Sequence, residues 1–425
     1  MENEFEKGFI AGYLINQRKS TNEEDESDST SKKWTYPSNW LKLPEPADNQ
    51  IIVLFDADKY GSDSSLQYYR GTCGIETAYD GTDDIKVNWG DGTGDWTYWN
   101  ADKYGNSASY AHEFTPGTGH DTGESEQWIV TWTFNEEREV GEEYFFSVCY
   151  TNYSSKAAMR MPAIKIGNTK YLNSNSNSSV SANNSLLRYI KILNDELNIA
   201  YKFGNAYHLS KVELPESITK IPYKCFYNAY NLFDVNLTNI TEIGDSAFSR
   251  CYKLNPSGKM PNLTTIGNYA FQDTGITSCN FPKLTSIGQY AFSSCSLMTN
   301  ITIPKGVTYV NDYAFQSCQS LRSVDLSNVT EIGTYAFNMC YSLKTIKSDK
   351  VLTINDAAFR SCNRLLTAEF PSCNSVGNMA FQFCRCLELC ILASGADIGS
   401  TAFSGTYICE VKFEESKESE EESST

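Results

Sequence analysis

A phrase of about 22 residues recurs through the second half of the chain, and it limits the possible folds more than any other feature of the sequence. One phenylalanine marks each copy, and successive copies lie 22, 23, 21, 23, 22, 22, 22 and 22 residues apart. A unit this short cannot bury its own apolar face, so its copies must stack as a solenoid. The marker residues are Phe226, Phe248, Phe271, Phe292, Phe315, Phe337, Phe359, Phe381 and Phe403, with a degenerate earlier copy at Phe203.

Each copy ends in an alternation of apolar and polar residues, which is typical of a short strand with one buried face. In one copy, Leu321, Val324 and Leu326 are the inward positions. The segment around the phenylalanine has a different period and predicts one turn of helix, with the phenylalanine filling a core layer. The predicted fold is therefore a parallel β ladder of about ten repeats that are joined through short helical turns.

Cysteine is frequent, with 14 residues in the chain, and the repeat explains much of that number. One repeat position holds cysteine in six copies and threonine or alanine in others, which predicts a small buried packing site. The short segment 384–386 has two cysteines but no second pair at zinc-binding spacing, so no metal site is predicted. The six repeat cysteines are Cys251, Cys295, Cys318, Cys340, Cys362 and Cys384.

The phrase I-G-x-x-A-F-x-x-C-x-x-L, seen at residues 332–343, resembles the BspA-type leucine-rich repeat. The resemblance covers about residues 187–413. It implies a leucine-rich-repeat solenoid and adhesion to proteins or glycans, because such repeats occur mostly in cell-surface proteins. Residues 251–260 depart from the pattern, since Pro256 and Gly258 stand where a regular strand is expected.

Residues 34–150 lack the repeat and are rich in aromatic residues and in Asp-Gly and Pro-Gly turns. Strand-like runs between these turns predict a small antiparallel β-sandwich. The phrase V-N-W-G-D-G at 87–92, followed by Y-A-H-E-F-T-P-G at 110–117, resembles the polycystic-kidney-disease (PKD) type of Ig-like domain. The resemblance implies that Asp91 and His112 are structural residues.

A calcium site on the first domain is an alternative interpretation of its acidic turn. Asp91 and Asp95 supply carboxylates that Ca²⁺ would accept, although their spacing is loose for a calcium loop.

Three further segments complete the predicted domain organisation. Residues 151–186 contain a strand-like run and an Asn/Ser-rich loop, and we expect them to cap the first coil of the repeats. Residues 414–425 form an acidic disordered tail that keeps the end of the solenoid in solution. Residues 1–33 combine a short amphipathic helix with a charged, serine-rich tether.

The N-terminal helix has the pattern of an attachment device, because its apolar residues fall on one helical face. Residues 1–20 would then dock the protein into a virion or a surface assembly; the alternative is a frayed terminus. The start of the chain is acidic and its apolar run is short, so no ordinary signal peptide is predicted, and no membrane anchor is recognised. The apolar residues are Phe5, Phe9, Ile10, Tyr13 and Leu14.

Charge and composition exclude several classes of protein. There are 35 Lys and Arg against 52 Asp and Glu, so the formal net charge is −17, which argues against nucleic acid as a partner. No stretch approaches the ~20 apolar residues of a membrane helix. Three histidines and no recognised catalytic or phosphate-binding motif predict a protein that is not an enzyme and carries no cofactor.

The solvent-facing side of the strand ladder is the predicted ligand-binding surface. Its carboxylates are interleaved with lysine and arginine, which is unlike a catalytic pair in a pocket. It has few aromatic residues, which favours a protein or mixed partner over a glycan alone. The candidate residues are Lys211, Glu213, Phe233, Asp234, Thr299, Asn300, Thr302, Arg322, Asp325, Lys344, Lys347, Glu369 and Glu388.

The first domain offers the better glycan candidate, because aromatic residues are concentrated in one loop-rich stretch of it. The residues are Trp96, Tyr98, Trp99 and Tyr104.

Together these features predict an extracellular adhesion protein that recognises a protein or glycan on a cell surface. Three settings stay open. The protein is attached to a bacteriophage virion or tail through its N-terminus, or it is a bacterial surface or secreted adhesin, or it is a structural spacer with no ligand of its own. The missing signal peptide and the helix with its tether favour the first setting.

Overall fold

The computed structural model describes residues 36–47, 50–58, 69–77, 85–93, 95–98, 108–114, 119–122, 125–133, 144–147, 160–166, 187–193, 203–256, 260–279, 281–407 and 410–414. These residues belong to one compact unit, 36–425, and they form strands and turns without a helix. The predicted N-terminal docking helix with its tether, and the tail beyond residue 414, lie outside the described residues.

The N-terminal part of the unit consists of two antiparallel sheets. In one sheet, β1 pairs with β7 and β9, while β3 pairs with β4 and β7; in the other, β2 pairs with β5 and β8. An Ig-like sandwich stays a prediction. The strands are β1 (Gln50–Asp58), β2 (Tyr69–Thr77), β3 (Ile85–Asn88), β4 (Asp95–Tyr98), β5 (Ala108–Phe114), β6 (His120–Asp121), β7 (Ser125–Thr133), β8 (Tyr144–Ser147) and β9 (Arg160–Ile166).

The W-G-D-G phrase forms a buried strand end and a tight turn. Trp89 has no exposed surface and meets Trp132 edge to face, with ring centroids 5.8 Å apart. Gly90 has φ +73°, and a Cβ there would lie 2.2 Å from the Ile129 carbonyl oxygen, so only glycine fits. Asp91 accepts hydrogen bonds from the amide and the hydroxyl of Thr93, and thereby closes the turn.

The rest of the unit is a parallel β solenoid of about ten coils. Its strands are β10 (Tyr189–Ile192), β11 (Lys211–Glu213), β12 (Lys220–Ile221), β13 (Asp234–Val235), β14 (Glu242–Ile243), β15 (Thr265–Ile266), β16 (Ser278–Cys279), β17 (Ser286–Ile287), β18 (Asn300–Thr302), β19 (Tyr309–Val310), β20 (Ser323–Asp325), β21 (Glu331–Ile332), β22 (Thr345–Lys347), β23 (Thr353–Ile354), β24 (Thr367–Phe370), β25 (Ser375–Val376), β26 (Leu389–Ala393), β27 (Asp397–Ile398) and β28 (Glu410–Glu414).

Two rows of parallel strands run along the solenoid. The first ladder is made of β10, β11, β13, β16, β18, β20, β22, β24, β26 and β28, and the second of β12, β14, β15, β17, β19, β21, β23, β25 and β27. The first ladder is the strand row predicted from the sequence. It is interrupted between β13 and β16, where Pro256 lies, and between β20 and β22.

The segment around each phenylalanine is not a helical turn, and that prediction was wrong. In the coil of Phe337, Tyr335 and Met339 have φ of 55° and 60°, which no right-handed helix allows. Alternate amides of this turn segment therefore point away from their own coil and donate to carbonyls of the next one. The bonds run from Tyr335 N to Asp356 O (3.0 Å), Phe337 N to Ala358 O (2.8 Å) and Met339 N to Arg360 O (2.8 Å).

The repeated phenylalanines form one stack along the solenoid axis. Neighbouring rings from Phe203 to Phe403 are nearly parallel, with centroids 5.3 to 6.0 Å apart. All are fully buried except Phe403 in the last coil, which is half-buried because no further coil covers it.

The repeat cysteines lie beside this stack, and all six are fully buried. Each thiol donates a hydrogen bond to the carbonyl of the phenylalanine one coil earlier, as Cys340 Sγ does to Phe315 O at 3.3 Å. The position is small and carries a donor. Threonine, where it replaces cysteine, donates within its own coil instead: Thr274 Oγ1 donates to Phe271 O at 2.8 Å. The other bonds run from Cys251, Cys295, Cys318, Cys362 and Cys384 to the carbonyls of Phe226, Phe271, Phe292, Phe337 and Phe359.

These thiols are expected to be unreactive in the folded protein, since the thiolate is the reactive form. Burial raises the pKa of Cys340, and it raises the pKa of Cys295 to about 12. Among the ten cysteines whose burial the structure describes, Cys386 is the exposed one. In a timed reaction with Ellman's reagent, Cys386→Ser should therefore remove one fast equivalent and Cys340→Ser none. Fast reaction of Cys340 would contradict its burial.

The two parts of the unit share one sheet. Strand β9 pairs in parallel with β10, the first strand of the solenoid, and antiparallel with β1 of the N-terminal part. Lys165 of β9 reinforces the junction, because its Nζ donates to Leu43 O at 2.7 Å and to Glu45 at 2.8 Å. Strand β9, which lies in the segment 151–186, is thus the neighbour of the first strand of the solenoid. The capping role expected of that segment stays a prediction.

Candidate functional site

The outward side of the first ladder is a row of polar side chains, because its strands alternate between buried and solvent-facing positions. In β20, Val324 points inward between the exposed Ser323 and Asp325. Parallel register aligns equivalent positions, so that Thr302 lies beside Asp325 on the next rung.

At the N-terminal end of the first ladder, the predicted site residues are already paired. Lys211 forms ion pairs with Glu213 (2.8 Å) and Asp234 (3.9 Å), and its ammonium group lies 5.9 Å from the centre of the Tyr189 ring. Burial, followed by the charge of Glu213, raises the pKa of Tyr189. The Lys211 ammonium group is thus engaged by two carboxylates and is not free to meet a ligand.

Three further candidates are either less polar or already hydrogen-bonded to neighbouring residues. Phe233 is half-buried. Thr299 donates its hydroxyl to Thr277 O at 3.3 Å, and Asn300 donates to the Thr299 hydroxyl at 3.1 Å.

The C-terminal part of the first ladder brings the remaining six candidates together on consecutive rungs. Five are exposed and Glu369 is half-buried. None belongs to an ion pair seen in the described part of the chain, although register places Lys347 beside Glu369. We name this surface the charged ladder face; it consists of Arg322, Asp325, Lys344, Lys347, Glu369 and Glu388.

A second surface, which the sequence reading missed, is an aromatic row on the turn segments. Four tyrosines occupy the position two residues before the repeat phenylalanine, and their rings stack with centroids 4.6, 4.4 and 5.0 Å apart. The signal is present in the sequence once the copies are aligned on phenylalanine. We name it the tyrosine row; it consists of Tyr269, Tyr290, Tyr313 and Tyr335.

The tyrosine row is close to a carboxylate. Asp312 accepts hydrogen bonds from the Tyr309 hydroxyl (3.2 Å) and from the Thr334 amide (2.8 Å). Burial, followed by the neighbouring Tyr313, raises the pKa of Tyr290 to about 12. The Tyr290 hydroxyl therefore stays protonated at neutral pH and can donate a hydrogen bond.

Other predicted sites lie partly or wholly outside the described residues. The side chains of Trp96, Tyr98, Asp95 and His112 are not described, and Trp99 and Tyr104 fall in undescribed segments. Within the described ranges, no cluster of His, Cys, Asp or Glu could hold a metal ion. Nor is any helix in that part of the chain long and apolar enough to cross a membrane.

The stacked coils, the two parallel ladders and the recurrent phenylalanine define a leucine-rich-repeat solenoid. The model of the BspA type leucine-rich repeat region, which contains six copies, matches residues 164–297 and 285–410, more than half of the chain. The chain belongs to this family. Family membership indicates a general role in binding or adhesion.

Several solved structures are similar to the chain. A leucine-rich cell surface protein of Faecalibacterium prausnitzii is 21% identical, with 66% of this chain and 93% of that one covered and a TM-score of 0.34. A leucine-rich repeat protein of Bacteroides ovatus is 16% identical, with 60% and 90% covered and a TM-score of 0.30. The pneumococcal vaccine antigen PcpA is 14% identical, with 63% and 72% covered and a TM-score of 0.32. No curated protein matches the chain.

Proposed function

We propose that the protein is a non-enzymatic adhesion protein that binds a partner protein on a cell surface through the charged ladder face. The observation that supports this most directly is the contrast along one ladder. Lys211 at the N-terminal end is held by two carboxylates, whereas Arg322, Lys344 and Lys347 are exposed outside any recorded ion pair. Exposed charges of both signs in fixed register suit electrostatic recognition of a complementary surface.

The arrangement of the charged ladder face supports binding over catalysis. Its side chains stand on a regular ladder in which rungs are about 4.8 Å apart, with Arg322 and Asp325 on one rung, Lys344 and Lys347 on the next, and Glu369 and Glu388 on the two that follow. A catalytic carboxyl pair would need a water-excluding pocket around it. An exposed ladder instead gives many weak contacts over an extended area, which is how repeat proteins bind.

The proposal also includes the biological setting in which the protein acts. Attachment to a bacteriophage virion or tail through residues 1–20 explains the amphipathic pattern of Phe5, Phe9 and Leu14. A bacterial surface or secreted adhesin is the alternative, and a structural spacer is the second. The first two settings place the protein outside the cell. Recognition of glycan by the aromatic residues of the PKD-like, Ig-like domain belongs to the same proposal.

Charge reversal on the ladder tests the proposed site. The variant carries Arg322→Glu, Asp325→Lys, Lys344→Glu and Lys347→Glu, and flow cytometry measures binding of the labelled protein to bacterial and mucosal epithelial cells. We expect wild type to bind saturably and the variant to bind at least tenfold more weakly, which corresponds to about 1.4 kcal/mol.

A matched control distinguishes the effect of the charged ladder face on binding from the effect of the overall net charge. Lys305→Glu with Lys350→Glu makes the same change of −4 at two exposed lysines outside the charged ladder face, and it should bind like wild type. Equal weakening by both variants would show that only overall charge matters. Saturable binding that survives the ladder variant would exclude this face, and no saturable binding by wild type would favour the spacer.

A further inference from the structure

The tyrosine row ends differently at its two ends. Beyond Tyr335 the next position of the row is Ala357, which is fully buried. Before Tyr269 the equivalent position is Ser246, which is half-buried, and Tyr269 itself is 37% exposed. One face of the Tyr269 ring lies on Tyr290, with 7° between the planes, and the repeat position on the opposite side of Tyr269 is Ser246.

Ser246 occupies the place of a missing ring. Its φ of 56° is the same as that of Tyr290, and its amide donates to Asn268 O, as the Tyr269 amide donates to Gln289 O one coil later. The backbone is thus that of a tyrosine position, but the side chain is a hydroxymethyl group. Two rungs, about 10 Å, separate the positions on either side of Ser246, and this spacing leaves room for one flat group stacked on Tyr269.

The far side of this gap is kept open by the conformation of Lys224. Its ammonium group lies over the rings of Tyr223 and Tyr227, 5.1 and 5.5 Å from their centres. The lysine therefore forms a wall of the gap and does not fill it.

Polar groups of mixed character surround the gap. Asp245 is exposed; one carboxylate oxygen accepts the Asn268 amide at 2.7 Å, while the other has only a 3.4 Å contact to the Asn268 side chain. Asn268 is exposed as well. With the Ser246 hydroxyl and the Lys224 ammonium group, the rim offers both donors and acceptors, and its one positive and one negative charge balance.

We propose that this gap binds a neutral pyranose unit of a glycan, stacked on the open face of Tyr269. The apolar C–H face of a pyranose fits the negative face of an aromatic ring, and its hydroxyls both donate and accept hydrogen bonds. A guanidinium group would meet the positive charge of Lys224. An aromatic side chain would stack equally well but would leave the carboxylate of Asp245 and the amide of Asn268 without new partners.

Filling the gap with a fifth ring is the direct test. Ser246→Tyr uses a residue that the next four coils carry at this position, so the fold should accept it. On a printed array of neutral and acidic oligosaccharides, wild type should bind neutral glycans, and Ser246→Tyr should lose at least tenfold in signal. In saturation-transfer NMR with the neutral glycan that wild type binds most strongly, wild type should transfer saturation to the ring C–H protons of the glycan, and Ser246→Tyr should not.

Two further variants keep the test independent of folding and of the charged ladder face. Ser375→Tyr adds a tyrosine at the repeat position of Tyr309, six coils from the gap, and should bind like wild type. Asp245→Asn keeps an oxygen for the Asn268 amide, as Asn268 itself does for Gln289, and should weaken binding by several-fold. If Ser246→Tyr does not fold, Tyr269→Leu replaces it and carries the same expectation.

Three results would overturn the proposal: no neutral glycan bound by wild type, equal binding by Ser246→Tyr, or binding of acidic glycans alone. The ladder charge-reversal variant should retain glycan binding, so failure of one proposal leaves the other standing.

Discussion

Phe337→Ala should lower the free energy of unfolding by about 3–5 kcal/mol, the range for large-to-small changes in a packed core. The ring has no exposed surface and stacks between Phe315 and Phe359 at 5.3 and 5.4 Å. Alanine would leave a cavity with a ring on each side. Because each coil contacts only its neighbours, this loss would weaken the interfaces on both sides of the coil. Urea unfolding followed by circular dichroism measures it.

Phe403→Ala is the matched control. This ring has the same role in the repeat, but it is half-buried and stacks on one neighbour only, Phe381 at 5.3 Å. We expect a clearly smaller loss than at Phe337. Equal losses at the two positions would mean that ring burial inside the stack is not what stabilises the solenoid.

The strand ladder and the phenylalanine stack are predictable from sequence because both follow from a period that one chain displays many times. A single interval of 22 residues places Phe315, Phe337 and Phe359 on adjacent coils, and any stacked repeat must bring them into contact. The same alignment identifies the small position of Cys340, although not the hydrogen bond that its thiol makes.

The conformation between the strands could not be read from the same pattern. A segment such as 333–340 has apolar residues at spacings that a short helix also shows. The structure instead places Tyr335 and Met339 at positive φ. This conformation is stable only because the next coil supplies carbonyl acceptors for the amides that no longer bond within their own coil. Tertiary hydrogen bonding therefore decides the local backbone, and local propensity does not report it. The second ladder was missed for a related reason, because its strands, such as β21, are only two residues long.

For the candidate binding residues too, the sequence predicts the position on the ladder but not the contacts of the side chain. Sequence periodicity places Lys211 and Lys344 on one face, but it does not show that Lys211 is held by Glu213 and Asp234 while Lys344 is exposed. Contacts across coils decide which charges are available to a ligand.

The junction between the two parts of the unit, at strands β9 and β10, is the feature least accessible to sequence, and it leads to the second large prediction. A fragment of residues 187–425 contains every repeat, yet it should fail to give soluble, monomeric protein. Strand β10 would lose its partner β9, which it pairs with from Tyr189 to Ile192. The fully buried Ile190 would then lie at an open edge, and exposed parallel edges of this kind recruit other chains.

The comparison fragment is residues 34–425, which keeps β1, β9 and the Lys165 contact to Leu43. It should elute as a soluble species with a cooperative thermal transition, while 187–425 elutes in the void volume or stays insoluble. If 187–425 were monomeric and melted like the longer fragment, the shared sheet would be dispensable and the repeats would form an independent domain. The result expected here means instead that the preceding domain is the N-terminal cap of the solenoid. Binding tests on separated halves of this chain would then measure a damaged ladder, so both proposed ligand sites have to be assayed on the intact unit.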